Sequence, residues 1–260
     1  ATSGRTTLNG EGLQHQDGHS HILSATIPNC KSYDPAFGYE LAVIIEHGLK
    51  EMYENKKNNF YYLTVTNERY IQPPKPKSKS IDKNIIRGMH RVIEVKEPKI
   101  RLLGSGAILN ECFKASEILN DYGIDNEVWS VTSFNMLRKD GMETENENIK
   151  NPLSKDKKSF VAKSFSENDI PTVASTDYMR AYSEQIRPYM SSPYYTLGTD
   201  GFGRSDSREK LREFFEIDAN NIVMTSAYAL FKEGTLDKKE MQKIYKKCDL
   251  KRNKNSPWNE

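Results

Sequence analysis

The chain has 260 residues, with 38 Lys and Arg against 36 Asp and Glu and a formal net charge of +2. That near balance, with no long basic face interleaved with aromatics, argues against nucleic acid as a partner. No apolar run approaches the ~20 residues that cross a bilayer, and the N-terminus has neither the basic nor the apolar region of a secretory signal, so a cytoplasmic protein without membrane contact is expected. Hydrophobic residues at 36%, with 14 Tyr and 10 Phe, suit a packed core and exclude a disordered chain. The length allows one large domain or two modest ones. Cys30, Cys112 and Cys248 are odd in number and far apart. They draw neither a disulfide framework nor a metal-binding pair, and read as buried free thiols.

Residues 1–30 scatter Gly4, Gly10, Gly12 and Gly18 among polar residues, which favours irregular backbone. The opening carries no Met and enters this stretch at once, as expected of a start in mid-domain. A helix is predicted from Asp34, as N-cap, and Pro35, in the first turn, to about Lys56. Phe37, Leu41, Ile44, Ile45, Leu49 and Met52 give it one apolar face. Phe60 to Thr66 is aromatic and β-branched, and reads as a strand. From Pro73 to Lys83 the composition becomes Pro, Lys and Ser, the mark of a solvated linker, and the domain boundary is placed here, separating residues 1–78 from 79–260. A basic patch is the rival reading of that run.

Ile100 to Leu103 reads as a strand, then Gly104-Ser105-Gly106 as a turn, then Ile108, Cys112, Ala115 and Leu119 as a helical stripe that stops at Gly123. With a strand at Glu127 to Val131, this is a parallel βαβ unit. Gly-x-Gly after a strand also suits a phosphate cradle, but the third glycine and the ribose-binding acid of that motif are missing. Residues 141–170 lack any apolar period and are read as a surface excursion. Thr172 to Thr176 is a strand, and Asp177 is positioned to cap a helix carrying Met179, Tyr182, Ile186 and Tyr189. Tyr194 to Leu197 is a short strand, and Asp206 with Glu209 fits a capping box ahead of Leu211, Phe214 and Phe215. Ile222 to Phe231 and Leu236 to Cys248 are the closing helices, and Lys251 to Glu260 is a polar, frayed tail.

The densest chemistry lies in Gln14-His15-Gln16-Asp17-Gly18-His19-Ser20-His21, which holds three of the five histidines. Imidazoles titrate near neutrality and pass protons or donate hydrogen bonds. A metal site is a further candidate, although no second cluster completes a tetrahedral shell. A solvated polar loop is the bland alternative.

Gly4-Arg5-Thr6-Thr7-Leu8-Asn9-Gly10-Glu11-Gly12-Leu13-Gln14-His15, continuing through Asp17-Gly18-His19-Ser20-His21, resembles the signature loop of the homodimeric-type bacterial pyruvate dehydrogenase (acetyl-transferring) component, in the transketolase superfamily. Thr26-Ile27-Pro28-Asn29-Cys30 with Asp34-Pro35, and Asn67-Glu68 with Tyr70, are similar to the segments that follow it. Leu103-Gly104-Ser105-Gly106, Val131-Thr132-Ser133-Phe134, Ala174-Ser175-Thr176-Asp177-Tyr178-Met179 and Leu197 to Glu209 resemble the C-terminal domain of the same family. Between Gly141 and Lys163 the family pattern fades.

The resemblance implies an α/β fold: the later half of a thiamine-diphosphate pyrimidine-binding domain over 1–78, then a transketolase-type C-terminal domain with a mainly parallel sheet over 79–260. It implies decarboxylation of pyruvate on thiamine diphosphate and reductive acetylation of a lipoyl group. The implied partners are the lipoyl domain, the dihydrolipoyl acetyltransferase component and a homodimer mate. His15, His19 and His21 are the implied catalytic residues, with His15 the first choice for contact with substrate. Thiamine diphosphate and Mg²⁺ are the implied cofactors. The Gly-Asp-Gly motif that holds them in this class does not occur in the sequence. The resemblance therefore implies that their main ligands, and the activating glutamate, lie outside this chain, which would be inactive alone. A transketolase-type enzyme and a noncatalytic assembly module are the rival functions.

Overall fold

The computed structural model describes residues 4–8, 12–248, 250 and 254–259. In chain order, α1 (Ser20–Ser24) leads to β1 (Cys30–Tyr33), α2 (Gly38–Leu49) with a π-helical extension over Lys50–Glu54, and β2 (Phe60–Leu63). An irregular connection follows, then α3 (Ile81–Arg87), β3 (Met89–Ile93), β4 (Ile100–Gly104), α4 (Leu109–Asp121), β5 (Asn126–Val131) and α5 (Phe134–Lys150). The chain continues with α6 (Phe160–Ser164), β6 (Thr172–Ser175), α7 (Arg180–Glu184), β7 (Tyr194–Leu197), α8 (Arg208–Phe215), α9 (Ala219–Lys232) and α10 (Lys238–Lys247).

These elements form an α/β protein with mostly parallel sheets. β1 and β2 pair in parallel, while the larger sheet runs β3-β5-β4-β6-β7 with only β3 antiparallel. Every residue of β4, β5 and β6 is buried, because helices cover both faces. Leu102, Val128 and Val173 pack under Cys112, Ala115 and Leu119 of α4 and Ile222, Val223 and Leu230 of α9. On the other face, Leu103, Val131 and Ala174 meet Phe134, Leu137, Phe160, Tyr178 and Tyr182. The thiols of Cys112 and Cys248 are buried and that of Cys30 is partly so; all three are free.

The structure departs from the sequence expectations where a side chain is claimed by a distant partner. Asp34 does not cap α2. Its backbone N–H donates to Thr132 O at 2.8 Å, and its C=O accepts from Gly106 N at 3.1 Å. The start of α2 is closed instead by Glu40, whose Oε2 accepts from Ala36 N at 2.7 Å and Phe37 N at 3.0 Å. Asp177 does not cap α7 either, because its carboxylate is occupied by the N-terminal segment. Ser207, not Asp206, caps α8. β1, α3 and β3 were not anticipated. Ile81 and Ile85 of α3, beyond the boundary placed at 78, pack on Tyr33, Val43 and Ile44 of the first part. Residues 141–170 include the second half of α5 and all of α6, and residues 142–158 do lie at the surface. α5 buries only Phe134, Leu137 and Gly141, so its solvated end shows no apolar period. In the tail, residues 251–253 and 260 lie outside the described residues, whereas Pro257 is buried against Gly201.

Gly104-Ser105-Gly106 is the tight turn that joins β4 to its helix. Gly106 has φ +50°, and a Cβ there would sit 2.5 Å from Asp34 Oδ2. The space a phosphate would need is filled by a buried carboxylate.

Glu40 also joins the two parts of the chain. Its Oε1 accepts from Ser130 Oγ of β5 and meets His90 Nε2 of β3, both at 2.6 Å, and Glu40 and His90 are almost wholly buried. Glu40→Ala strands all four partners away from water. The variant is expected to lose about 3–5 kcal/mol of stability in urea unfolding, with Glu40→Gln losing less.

Candidate functional site

β4, β6 and β7 run in parallel and end together at Gly104, Ser175 and Leu197. The carboxyl edge of such a sheet is where ligands bind in open α/β folds. The first described residues lie across this edge. Arg5 N donates to Asp177 O at 3.2 Å, and the Arg5 guanidinium donates to Thr199 O. Thr6 gives Asp177 Oδ1 its N–H at 2.9 Å and its hydroxyl at 2.7 Å. Thr7 gives Oδ2 its N–H at 3.1 Å and its hydroxyl at 2.6 Å. Burial raises the Asp177 carboxyl above its ordinary value, and these donors oppose that rise. From outside, Arg208 Nε donates to Thr7 O at 2.8 Å, and Arg212 approaches Thr6 Oγ1 at 3.4 Å while pairing with Glu68 and Glu111.

The histidine loop follows. Leu13–His15 forms a single 3₁₀ turn, and the Gln16 side chain holds the Arg204 backbone from both sides, accepting from its N–H at 2.5 Å and donating to its C=O. This places Gly201-Phe202-Gly203-Arg204 as the seat of the loop. Asp17 spends its carboxylate on the start of α1, accepting from His19 N at 3.0 Å and Ser20 N at 2.9 Å. Gly18 O then accepts from Met179 N at 2.8 Å.

The three histidines separate into two environments. His15 and His19 are exposed on the outer side of this pinned loop. His21 is fully buried, stacked on Tyr182 with ring centroids 4.7 Å apart and edge-on to Tyr178 and Tyr62. Its Nε2 lies 3.1 Å from Thr64 Oγ1, whose own proton goes to Asp34 Oδ1 at 2.6 Å. That order puts the ring proton on Nε2 and leaves Nδ1 a bare acceptor, matching its lack of a partner. Burial among the tyrosines pushes His21 down to about 3, so the ring is neutral.

Neither Asp177 nor the two arginines of α8 stood out as site residues by sequence. Asp177 was read as a helix cap, and nothing local marks its pairing with Thr6 and Thr7, about 170 residues away. Asn9, Gly10 and Glu11 of the signature loop lie outside the described residues.

Two family models match the chain. Residues 1–73 match the pyruvate dehydrogenase E1 component middle domain, and residues 88–218, half of the chain, match the transketolase-like C-terminal domain. The chain belongs to the transketolase-like family. Among curated proteins it is 49% identical to the pyruvate dehydrogenase E1 components of Pseudomonas aeruginosa and Escherichia coli, over 98% of its own length and 29% of theirs. It thus spans less than a third of these relatives. Among solved structures, a Pichia stipitis transketolase matches with a TM-score of 0.65 at 15% identity, over 91% of this chain and 30% of that one, a likeness of fold alone.

The fit to the family's cofactor divides along the same line. No group of three or more His, Cys, Asp or Glu side chains able to hold a metal ion occurs among the described residues. Asp17, Asp177 and Asp200, which act together on Arg5, are already committed to protein donors. This chain's described residues therefore do not fit the Mg²⁺ and diphosphate end of thiamine diphosphate.

The neutrality of His21 has a measurable sign. An unfolded chain would protonate this ring near 6.5 and the folded one only near 3, so its contribution is complete above pH 6.5 and is lost as the pH falls towards 3. Asp34 works the other way. Burial, the largest cause, lifts it from 3.8 to about 7, so its contribution is lost as the pH rises through that range. The two slopes oppose each other between pH 4 and 6.5. His21→Phe removes one of them, and the stability difference from wild type should change by about 1.4 kcal/mol per pH unit in that interval. A difference that does not vary with pH would refute a buried, neutral His21.

Proposed function

We propose that this chain is part of a pyruvate dehydrogenase E1 component that decarboxylates pyruvate and reductively acetylates a lipoyl group on the dihydrolipoyl acetyltransferase component. The longer polypeptide works as a homodimer in the cytoplasm. Thiamine diphosphate, held with Mg²⁺ by residues outside this chain, supplies the carbanion chemistry when bound. The contribution of this chain is a positioned set of imidazoles. His15 contacts the substrate and donates a hydrogen bond or a proton to it, His19 assists from the same loop, and His21 supports that loop from below as an uncharged ring.

The observation that carries this reading is the placement of His15. Its ring is free in solvent, while the backbone on both sides is tied to the carboxyl edge of the sheet, through Thr6 and Thr7 before it and through Gln16 and Gly18 after it. A solvated loop without function has no need of such anchoring. Identity of 49% to E1 components, against 15% to a transketolase, favours pyruvate over sugar phosphates.

In the full-length enzyme, His15→Ala is expected to lower kcat/KM for pyruvate on the order of 10²-fold or more, with cofactor affinity unchanged in calorimetry. Turnover equal to that of wild type sinks the assignment. The isolated chain titrated with thiamine diphosphate and Mg²⁺ should show no saturable heat, and tight binding would contradict the division of ligands proposed above.

A further inference from the structure

Loops that carry exposed catalytic groups need their ends fixed, because a displacement of about 1 Å can cost on the order of a hundredfold in rate. The ends of the histidine loop are Thr7 and Gly18, and both are held by one short stretch that follows β6. Asp177 takes Thr6 and Thr7, and Met179, two residues on, donates its N–H to Gly18 O. A carboxylate offers about four acceptor sites, and here all four are taken by two consecutive residues of one segment. Gly4 has φ +70°, and a Cβ there would lie 1.8 Å from Asp177 Oδ2, so the chain comes to the carboxylate as closely as glycine permits. The Asp177 side chain makes none of its hydrogen bonds with α7, the helix it precedes.

We propose that Asp177 is the positioning residue of the histidine loop: its carboxylate fixes the start of the loop so that His15, eight residues beyond Thr7, meets substrate in one place. The proposal rests on the role given to His15 under Proposed function. It adds a buried group at the sheet's carboxyl edge that does not itself touch substrate. Both carboxylate oxygens face a backbone N–H, from Thr6 and from Thr7. An amide at this position must therefore oppose one donor with another, while the volume stays the same.

The test uses the full-length enzyme with Asp177→Asn, and with Thr7→Val and Thr7→Ser as milder variants that retain the carboxylate. Hydrogen exchange of the peptide containing Thr6 and Thr7 should accelerate at least tenfold in Asp177→Asn and Thr7→Val, with the amides of β4 and β5 unchanged. Thr7→Ser, which keeps the hydroxyl donor, should restore slow exchange. The kcat for pyruvate should fall at least tenfold in Asp177→Asn, and the same substitution should cost nothing further in a His15→Ala background, because it acts through that residue. Unchanged exchange overturns the proposal, as does a loss of kcat that adds fully to that of His15→Ala. If His15→Ala alone keeps wild-type turnover, it is the reading of His15 that fails, and the exchange measurement still decides the clamp. Should Asp177→Asn not fold, the contrast between Thr7→Val and Thr7→Ser decides the same question.

Discussion

A carboxylate removed from water must be met by donors, and in this protein that constraint sets the geometry of the candidate site. Asp177 is buried at the end of β6, and Thr6 and Thr7 supply what its two oxygens require. Left unmet, those oxygens would carry the desolvation penalty of a buried carboxylate. The first described residues are thereby drawn over the carboxyl edge of the sheet.

The same physics recurs at two other acids. Glu40 is shared among the start of α2, His90 on β3 and Ser130 on β5, which locks the first part of the chain to the larger sheet. Asp34 fills the space beneath Gly106 and accepts from Thr64, which in turn meets His21. Each of these groups joins residues from both sides of the irregular connection after β2. The two family matches, over 1–73 and 88–218, are parts of one folded unit held together by buried polar contacts as well as by Ile81 and Ile85.

The histidine cluster shows a contrast of environment within seven residues. His15 and His19 remain in water and keep the hydrogen-bonding freedom of imidazole, whereas His21, packed among Tyr62, Tyr178 and Tyr182, has become a neutral aromatic. Three identical side chains within seven positions thus sit in two environments, separated by burial.

Between Ile100 and Leu197, β4, α4, β5, β6, α7 and β7 were legible from the residue pattern, α4 as a stripe at helical spacing, whereas α5 and α6 were not. The histidine cluster was equally plain as composition, and its resemblance to one family named the chemistry. Local pattern misled at Asp34, Asp177 and Asp206. An Asp ahead of a helix is a good cap, but in the first two cases a distant donor or close backbone contact claimed the residue, and at the third the adjacent Ser207 took the cap. α3, β3 and the polar end of α5 escaped because short, half-buried or solvated elements carry no strong period. Sequence alone determined which titratable groups this protein has, since residue identity is local. Which of them stay in water, and what holds them there, was decided by tertiary structure, because burial and hydrogen-bond satisfaction depend on partners that can lie 201 residues away along the chain.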